Sequence, residues 1–298
     1  MATLAIDIGA YLELQAEVVE KKLNQLLPEK SGPYEKLFEA SRYAVLGSGK
    51  RLRPILTLAT TQLLKGNVEY SLKPACTLEI IHSSSLIHDD LPCMDNDDFR
   101  RGKPSLHRQY REGHAVLTGD FLLTYAFETL ATDSNLLPET RIELIKILSQ
   151  ASGADGMIGG QVLDLAYENK KIPLETLCLL QKNKTAALIT AAVEFGGVLS
   201  FASPSQLNIL RKFGENIGLA FQIVDDILDI TSSEIKHGRS VGSDILNDKA
   251  TFVSLIGMEE SKRYALQLHR EALSLLKHLD CDTSILEGIA NFILERNY

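Results

Sequence analysis

Five aspartates, Asp89, Asp90, Asp95, Asp97 and Asp98, fall within ten residues of one another. They belong to the stretch HSSSLIHDDLPCMDNDDFRRGKP, residues 82–104, which follows directly on an apolar run. Two unit charges 4 Å apart repel by about 1 kcal/mol in water and by more where water is excluded. A fold that packs this stretch must therefore leave it in solvent or provide cations. Hard divalent ions take oxygen ligands, and Mg²⁺ in particular is shared between a few carboxylates and bound phosphates. Arg100 and Arg101, just downstream, are forked donors suited to phosphate. The stretch thus carries both halves of a metal–diphosphate site. A solvated acidic loop with a basic neighbour is the plainer alternative.

A second acidic cluster bears on that choice. In FQIVDDILDI, residues 221–230, Gln222, Asp225 and Asp229 are three and four apart and share one helix face, with Asp226 beside them. Like charges at i, i+4 destabilise a helix, and the apolar neighbours Ile223, Val224, Ile227 and Leu228 make uncompensated burial costlier still. A cation explains the arrangement; a solvated edge does not. The polar segment that follows contains Lys236, Arg239 and Lys249 and reads as a flap.

Composition narrows the class. A hydrophobic content of 45% provides for a packed core, and 23% charged residues excludes disorder or a fibre. The net charge of −8 argues against nucleic acid as a partner. The four cysteines, Cys76, Cys93, Cys178 and Cys281, form no C-x-x-C pair, which fits a reduced cytoplasmic protein better than a disulfide or zinc scaffold. The first residues, MATLAIDIGAYLELQ, read as neither a signal nor a transit peptide. No apolar run approaches the length of a membrane span.

The remaining pattern is helix after helix. Helices are predicted over 11–27, 34–46, from Pro74 to about Asp90, over 114–131 (apolar nearly all round, hence buried), over 139–151, and through 173–200 and 221–230. Pro92 cannot continue its helix, so the chain should bulge at residues 91–94 and let Asp95 return toward Asp89. His82, Ser85, Leu86 and Asp89 share a helix face. GKRLRP, residues 49–54, puts three cations at a loop-to-helix junction, which suits an anion as well as it suits a solvated turn. In SGADGMIGGQVLDL, Gln161 and Asp164 read as enclosed polar groups with a network role. Lys184 and Thr185 form a cation–hydroxyl pair. No strand of convincing length, glycine-rich nucleotide loop or long repeat is present. Antiparallel helices in a bundle can bring the two acidic ends face to face across a cavity.

In order along the chain, GKRLRP, HSSSLIHDDLPCMDNDDFRRGKP, GGQVLDL, KTAALI, FQIVDDILD and DKATF resemble the trans-type isoprenyl diphosphate synthases, the polyprenyl synthetase family. The resemblance spans nearly all of residues 1–298. The four residues between Asp90 and Asp95 are similar to the bacterial and plastid geranylgeranyl type. It implies an all-α, single-domain helical bundle around a deep central cavity (the isoprenoid synthase fold), in a homodimer. It also implies Mg²⁺, three ions per site with Mn²⁺ as a substitute. The implied reaction ionises an allylic diphosphate, alkylates isopentenyl diphosphate and then removes a proton. Fixed cations aimed at the departing oxygens should dominate that catalysis.

By the same resemblance, Asp89, Asp95, Asp225 and Asp229 would hold metal, with Asp90, Asp226 and Asp229 acting wholly or partly through water. Arg100, Lys184, Arg239 and Lys249 would hold the allylic diphosphate. Lys50, Arg53, His82 and Arg101 would hold isopentenyl diphosphate without metal. Thr185 and Gln222 would place oxygens near the carbocation, and the departing diphosphate would take the proton. Arg239 stands where the family has lysine, Phe252-Val253 where Tyr-Pro is common, and Phe121 where a small residue is usual. Chain length should be set by the first side chain that blocks the path away from Asp89. Many farnesyl enzymes have an aromatic residue at the position of Ser84. With Ser84 and Ser85 the tunnel stays open, and geranylgeranyl diphosphate is the expected product from dimethylallyl, geranyl or farnesyl starters, with farnesyl diphosphate the alternative. Phe121 or Tyr125 would be the next floor.

Three rival readings leave residues unexplained. A terpene cyclase has no need of GKRLRP, His82 and Arg101. A phosphohydrolase built on His82, His88, Asp89 and Asp225 ignores Asp95 and Asp229. A non-catalytic partner subunit could lose an aspartate motif, and both are intact.

Overall fold

The computed structural model describes residues 7–47, 49–231 and 250–295. Helix α1 (Ile8–Leu26) starts ahead of the predicted 11–27 because Asp7 caps it. The Asp7 side chain accepts the N–H of Ala10 at 3.1 Å and satisfies a first-turn donor. Helix α2 (Glu35–Val45) lies within its predicted range, and α3 (Leu52–Leu63) follows the basic loop.

Helix α4 (Val68–Asp89) corrects the expectation that Pro74 begins it. Asn67 caps the helix by accepting the N–H of Tyr70 at 3.1 Å. Pro74 is then buried within the helix, where its ring removes one backbone bond without stopping the chain. A two-residue hairpin, β1 (Phe99–Arg100) with β2 (Lys103–Pro104), follows the acidic stretch. Its turn residues Arg101 (φ 54°) and Gly102 (φ 75°) are both left-handed, the conformation a tight hairpin requires.

The chain then forms α5 (Leu106–Gln109), α6 (Glu112–Ala131), α7 (Pro138–Ser152) and α8 (Met157–Ala166). Next come α9 (Leu174–Gln181), a π-helical turn (Lys182–Ala186), α10 (Ala187–Leu199) and α11 (Pro204–Thr231). Three helices close the described chain: α12 (Phe252–Ile256), α13 (Met258–Leu276) and α14 (Ser284–Leu294). Helix α6 is not buried all round as predicted. Thr118 is inside and donates to the His114 carbonyl at 2.7 Å, whereas Leu117 and Asp120 face outward.

The fold is all-α, and α10 is its centre. It packs on α3, α4, α7 and α11, and Ile189, Ala192, Val193 and Phe195 are fully enclosed. Helix α4 packs between α3 and α6, and α11 packs between α10 and α13. A second apolar cluster joins α9, α11, α12 and α13 through Leu177, Ile223, Ile227, Phe252 and Leu268. Between these helices lies a cavity of about 840 Å³. Among the described residues, no helix is long and apolar enough to cross a membrane.

Candidate active site

The first acidic wall is the C-terminal end of α4. The bulge predicted at Pro92 is present: Leu91 accepts the N–H groups of Met94 (2.9 Å) and Asn96 (3.1 Å). Asp95 then returns, its N–H donating to the Asp89 carbonyl at 2.9 Å. Asp89 and Asp95 both line the cavity. Gln161 donates to Asp89 Oδ1. Lys184 Nζ lies 2.6 Å from Asp164 Oδ2 and 3.8 Å from Asp89 Oδ1. Gln161 and Asp164 are thus members of a network that holds Lys184 against the first wall.

Asp90 is turned away from the main cavity toward a small void behind it. Arg100 Nε donates to Asp90 at 2.9 Å, and Arg100 Nη2 reaches Asp97 at 3.0 Å. Burial pushes the Asp90 carboxyl up to about 6, outweighing the bond from Arg100. The hairpin turn sends Arg101 elsewhere, to Glu79 at 3.1 Å.

The second wall is the C-terminal part of α11. Gln222, Asp225, Asp226 and Asp229 all line the cavity. Thr185 Oγ1 donates to Gln222 Oε1 at 2.8 Å, and Gln222 Nε2 donates to Asp226 Oδ1 at 2.9 Å. Asp226, 2% exposed, also accepts the N–H of Phe252 at 2.8 Å and so fixes the start of α12. The π turn presents Lys184 and Thr185 to the cavity together. Gly160 of α8 lies against it so closely that an added Cβ would come 2.2 Å from the Lys184 nitrogen.

The donors facing each other from the two walls are oxygen only, which suits Mg²⁺. Among the described residues, Asp229 Oδ2 is buried with no hydrogen-bond partner, an orphan that an ion would satisfy. Among the described residues, no group of three acidic, histidine or cysteine side chains converges to hold an ion without help. Two carboxylate walls across a cavity instead suit an ion whose remaining ligands come from a bound diphosphate.

The cationic corner lies at the mouth of α3. Lys50, Arg53, His82 and Arg101 all line the cavity. Burial, with Arg53 beside it, holds the His82 imidazole well below its usual range, so it is neutral and offers a single N–H. Arg51, between Lys50 and Arg53 in sequence, folds inward. It is 2% exposed and bonds Glu79 (2.6 Å), Glu20 (2.6 Å) and the carbonyl of Val45 (2.7 Å). Sequence reasoning missed Glu79. Its signal was a lone acid on an apolar helix, one turn before His82.

The floor is apolar and lined by Ser84, Ser85, Leu123, Met157, Ile158, Val162 and Leu188. Both serine hydroxyls donate back to their own helix, Ser84 to Ile81 and Ser85 to His82, each at 2.8 Å. They are small and internally satisfied. Phe121 and Tyr125 are not among the lining residues, which corrects their proposed place at the floor. Phe121 stacks on Tyr125 at 5.2 Å and meets Phe38 edge-on at 5.9 Å, so it packs toward α2. Arg239 and Lys249 lie outside the described residues.

Residues 34–285 match the model of the polyprenyl synthetase family. The chain is 44% identical over 295 residues to geranylgeranyl diphosphate synthase of Cyanophora paradoxa, covering 98% of this chain and 97% of that one. It is 42% identical over 299 residues to the chloroplastic heterodimeric geranylgeranyl pyrophosphate synthase large subunit 1 of Arabidopsis thaliana, covering 98% and 80%. The crystal structure of the Helicobacter pylori geranyltransferase complexed with magnesium and isoprenyl diphosphate superposes with a TM-score of 0.86 at 38% identity, covering 98% of each chain. Two aspartate walls, a cationic corner and this likeness over nearly the whole length agree: the chain belongs to the polyprenyl synthetase family and is a prenyltransferase.

Proposed function

We propose that the chain condenses isopentenyl diphosphate with dimethylallyl, geranyl and farnesyl diphosphates and makes mainly geranylgeranyl diphosphate. One observation carries this reading. A single cavity of about 840 Å³ joins two carboxylate walls, a separate cationic corner and an apolar floor. Asp89, Asp95, Asp225 and Asp229 would hold Mg²⁺, which would neutralise charge developing on a departing diphosphate. Arg100 and Lys184 would bind the allylic diphosphate from the first wall, and Lys50, Arg53, His82 and Arg101 the isopentenyl diphosphate. The C–O bond of the allylic substrate breaks with its electron pair leaving on diphosphate. The isopentenyl double bond attacks the allylic carbon, and the proton then lost passes to the released diphosphate. Thr185 and Gln222, bonded to each other, set polar oxygens beside that carbon.

The small, internally bonded Ser84 and Ser85 support the longer product, as does the resemblance to relatives named for it. Exposed Leu117 (62%) on α6 and Ile142 (66%) on the adjacent α7 support self-association into a dimer. Four free cysteines support a reducing compartment.

The test incubates the purified protein with Mg²⁺, isopentenyl diphosphate and each five-, ten- and fifteen-carbon allylic diphosphate. Products are dephosphorylated and sized by chromatography. A twenty-carbon alcohol from all three starters is expected. Arrest at fifteen carbons keeps the reaction and moves the floor closer to Asp89. No condensation by folded protein overturns the reading.

A further inference from the structure

We infer that Glu79 is a positioning residue for isopentenyl diphosphate, fastening two separate loops so that their cations converge on one anion. The inference rests on the assignment, proposed above, of Lys50, Arg53, His82 and Arg101 to that substrate.

Cations gathered to bind an anion repel each other until the anion arrives. The cost grows as water is excluded. Here the cations come from two loops. One is the GKRLRP segment that leads into the first turn of α3, and the other is the hairpin turn at Arg101. Both loops carry an arginine in left-handed backbone geometry, Arg51 (φ 49°) and Arg101 (φ 54°). A single carboxylate oxygen reaches both: Glu79 Oε1 accepts from Arg51 Nη1 at 2.6 Å and from Arg101 Nη2 at 3.1 Å.

Arg51 is not a ligand candidate, because its side chain is 1% exposed and already engaged by Glu20, Glu79 and two backbone carbonyls, those of Val45 and Gly47. It works as a peg. By seating Arg51, Glu79 fixes the backbone between Lys50 and Arg53. By seating Arg101, it fixes the hairpin. His82, one helical turn further along α4, completes the same corner. Glu79 does not itself line the cavity, so its effect reaches the substrate through these neighbours. Arg100, next to Arg101 in the hairpin, is held by Asp90 and Asp97, and Lys184 is held by Asp164, so the allylic side of the cavity should be spared.

The test compares wild type with Glu79→Gln and Glu79→Asp. Glu79→Gln keeps the size and removes the charge; Glu79→Asp keeps the charge and withdraws it by one methylene. The KM for isopentenyl diphosphate should rise about tenfold or more in Glu79→Gln, the range of a lost bond to a charged group. The KM for geranyl diphosphate should stay within about twofold. Glu79→Asp should fall between, which is rescue by charge. The thermal shift that isopentenyl diphosphate gives without Mg²⁺ should shrink in the same order. An unmoved isopentenyl KM in both variants overturns the inference, as does an equal rise in both KM values or failure of both variants to fold. If wild type itself shows no condensation, the assignment of the corner fails, whatever the variants do.

Discussion

The backbone N–H of Asp95 donates to the carbonyl of Asp89 at 2.9 Å, and that bond closes the bulge imposed by Pro92. Both residues therefore line the one cavity although five residues separate them along the chain. An uninterrupted helix would have turned them to different faces.

Asp89→Asn keeps an acceptor for Gln161 and removes the charge that Lys184 and a divalent ion require. The turnover with Mg²⁺ should fall about a hundredfold or more, the scale at which a group stabilising developing charge is felt. Circular dichroism should show the fold intact. A loss smaller than tenfold would remove Asp89 from the centre of the site.

Ser84→Tyr sets a phenol into the floor from α4, and the main product should shorten from twenty carbons to fifteen. Phe121→Ala should leave product length unchanged, since Phe121 packs on Phe38 and Tyr125 instead of the cavity. Chromatography of the dephosphorylated alcohols reads both. A shortened product from Phe121→Ala alone would return that residue to the floor.

Gly160→Ala brings a methyl group against the Lys184 backbone, which cannot retreat as a flexible side chain could. Overpacking of this kind costs about 1–3 kcal/mol. The melting temperature should drop by a few degrees, and the allylic KM should rise as Lys184 shifts. An alanine tolerated on both counts would show that the π turn moves freely.

The buried carboxyl of Glu79 is held down to about 2; burial opposes this, and the guanidinium groups of Arg51, Arg101 and Arg53 outweigh it. A carboxyl depressed on folding stabilises the protein above its unfolded value near 4.5 and loses that contribution as pH falls toward 2. The stake is about 3 kcal/mol. Urea unfolding at pH 7 and pH 3 should show wild type losing more stability than Glu79→Gln. Equal losses would mean that Glu79 does not drive the acid response.

Much of the site was legible because its chemistry is local. Two aspartate clusters, the second at helical spacing, a proline inside the first and forked cations beyond it can be read from side-chain types and periodicity. The start of α4 was misread because Pro74 is a strong local signal for a helix start, while Asn67 supplies a cap and tertiary packing tolerates the proline inside. Phe121 was expected at the floor because a resemblance aligns a position along the chain and does not say which neighbour claims its ring; here Phe38 and Tyr125 do. Glu79 was missed because its partners Arg51 and Arg101 lie 28 and 22 residues away. No pattern along the chain announces a pairing of that range.

The π turn at Lys182–Ala186 has a consequence for how this chain tolerates change. An α-helix advances about 100° per residue, and a wider turn accommodates one residue more than the regular spiral needs. Helices α9 and α10 can thus each keep a buried stripe of their own while Lys184 and Thr185 point into one space. Deleting one residue here would restore an even spiral at no cost in local helix geometry. It would also rotate everything upstream by about a quarter turn relative to α10, setting Leu177 and Leu180 against Lys184 and Thr185 in a contest over which pair stays inside. Length, as well as the identity of Lys184 and Thr185, is what this segment has to conserve.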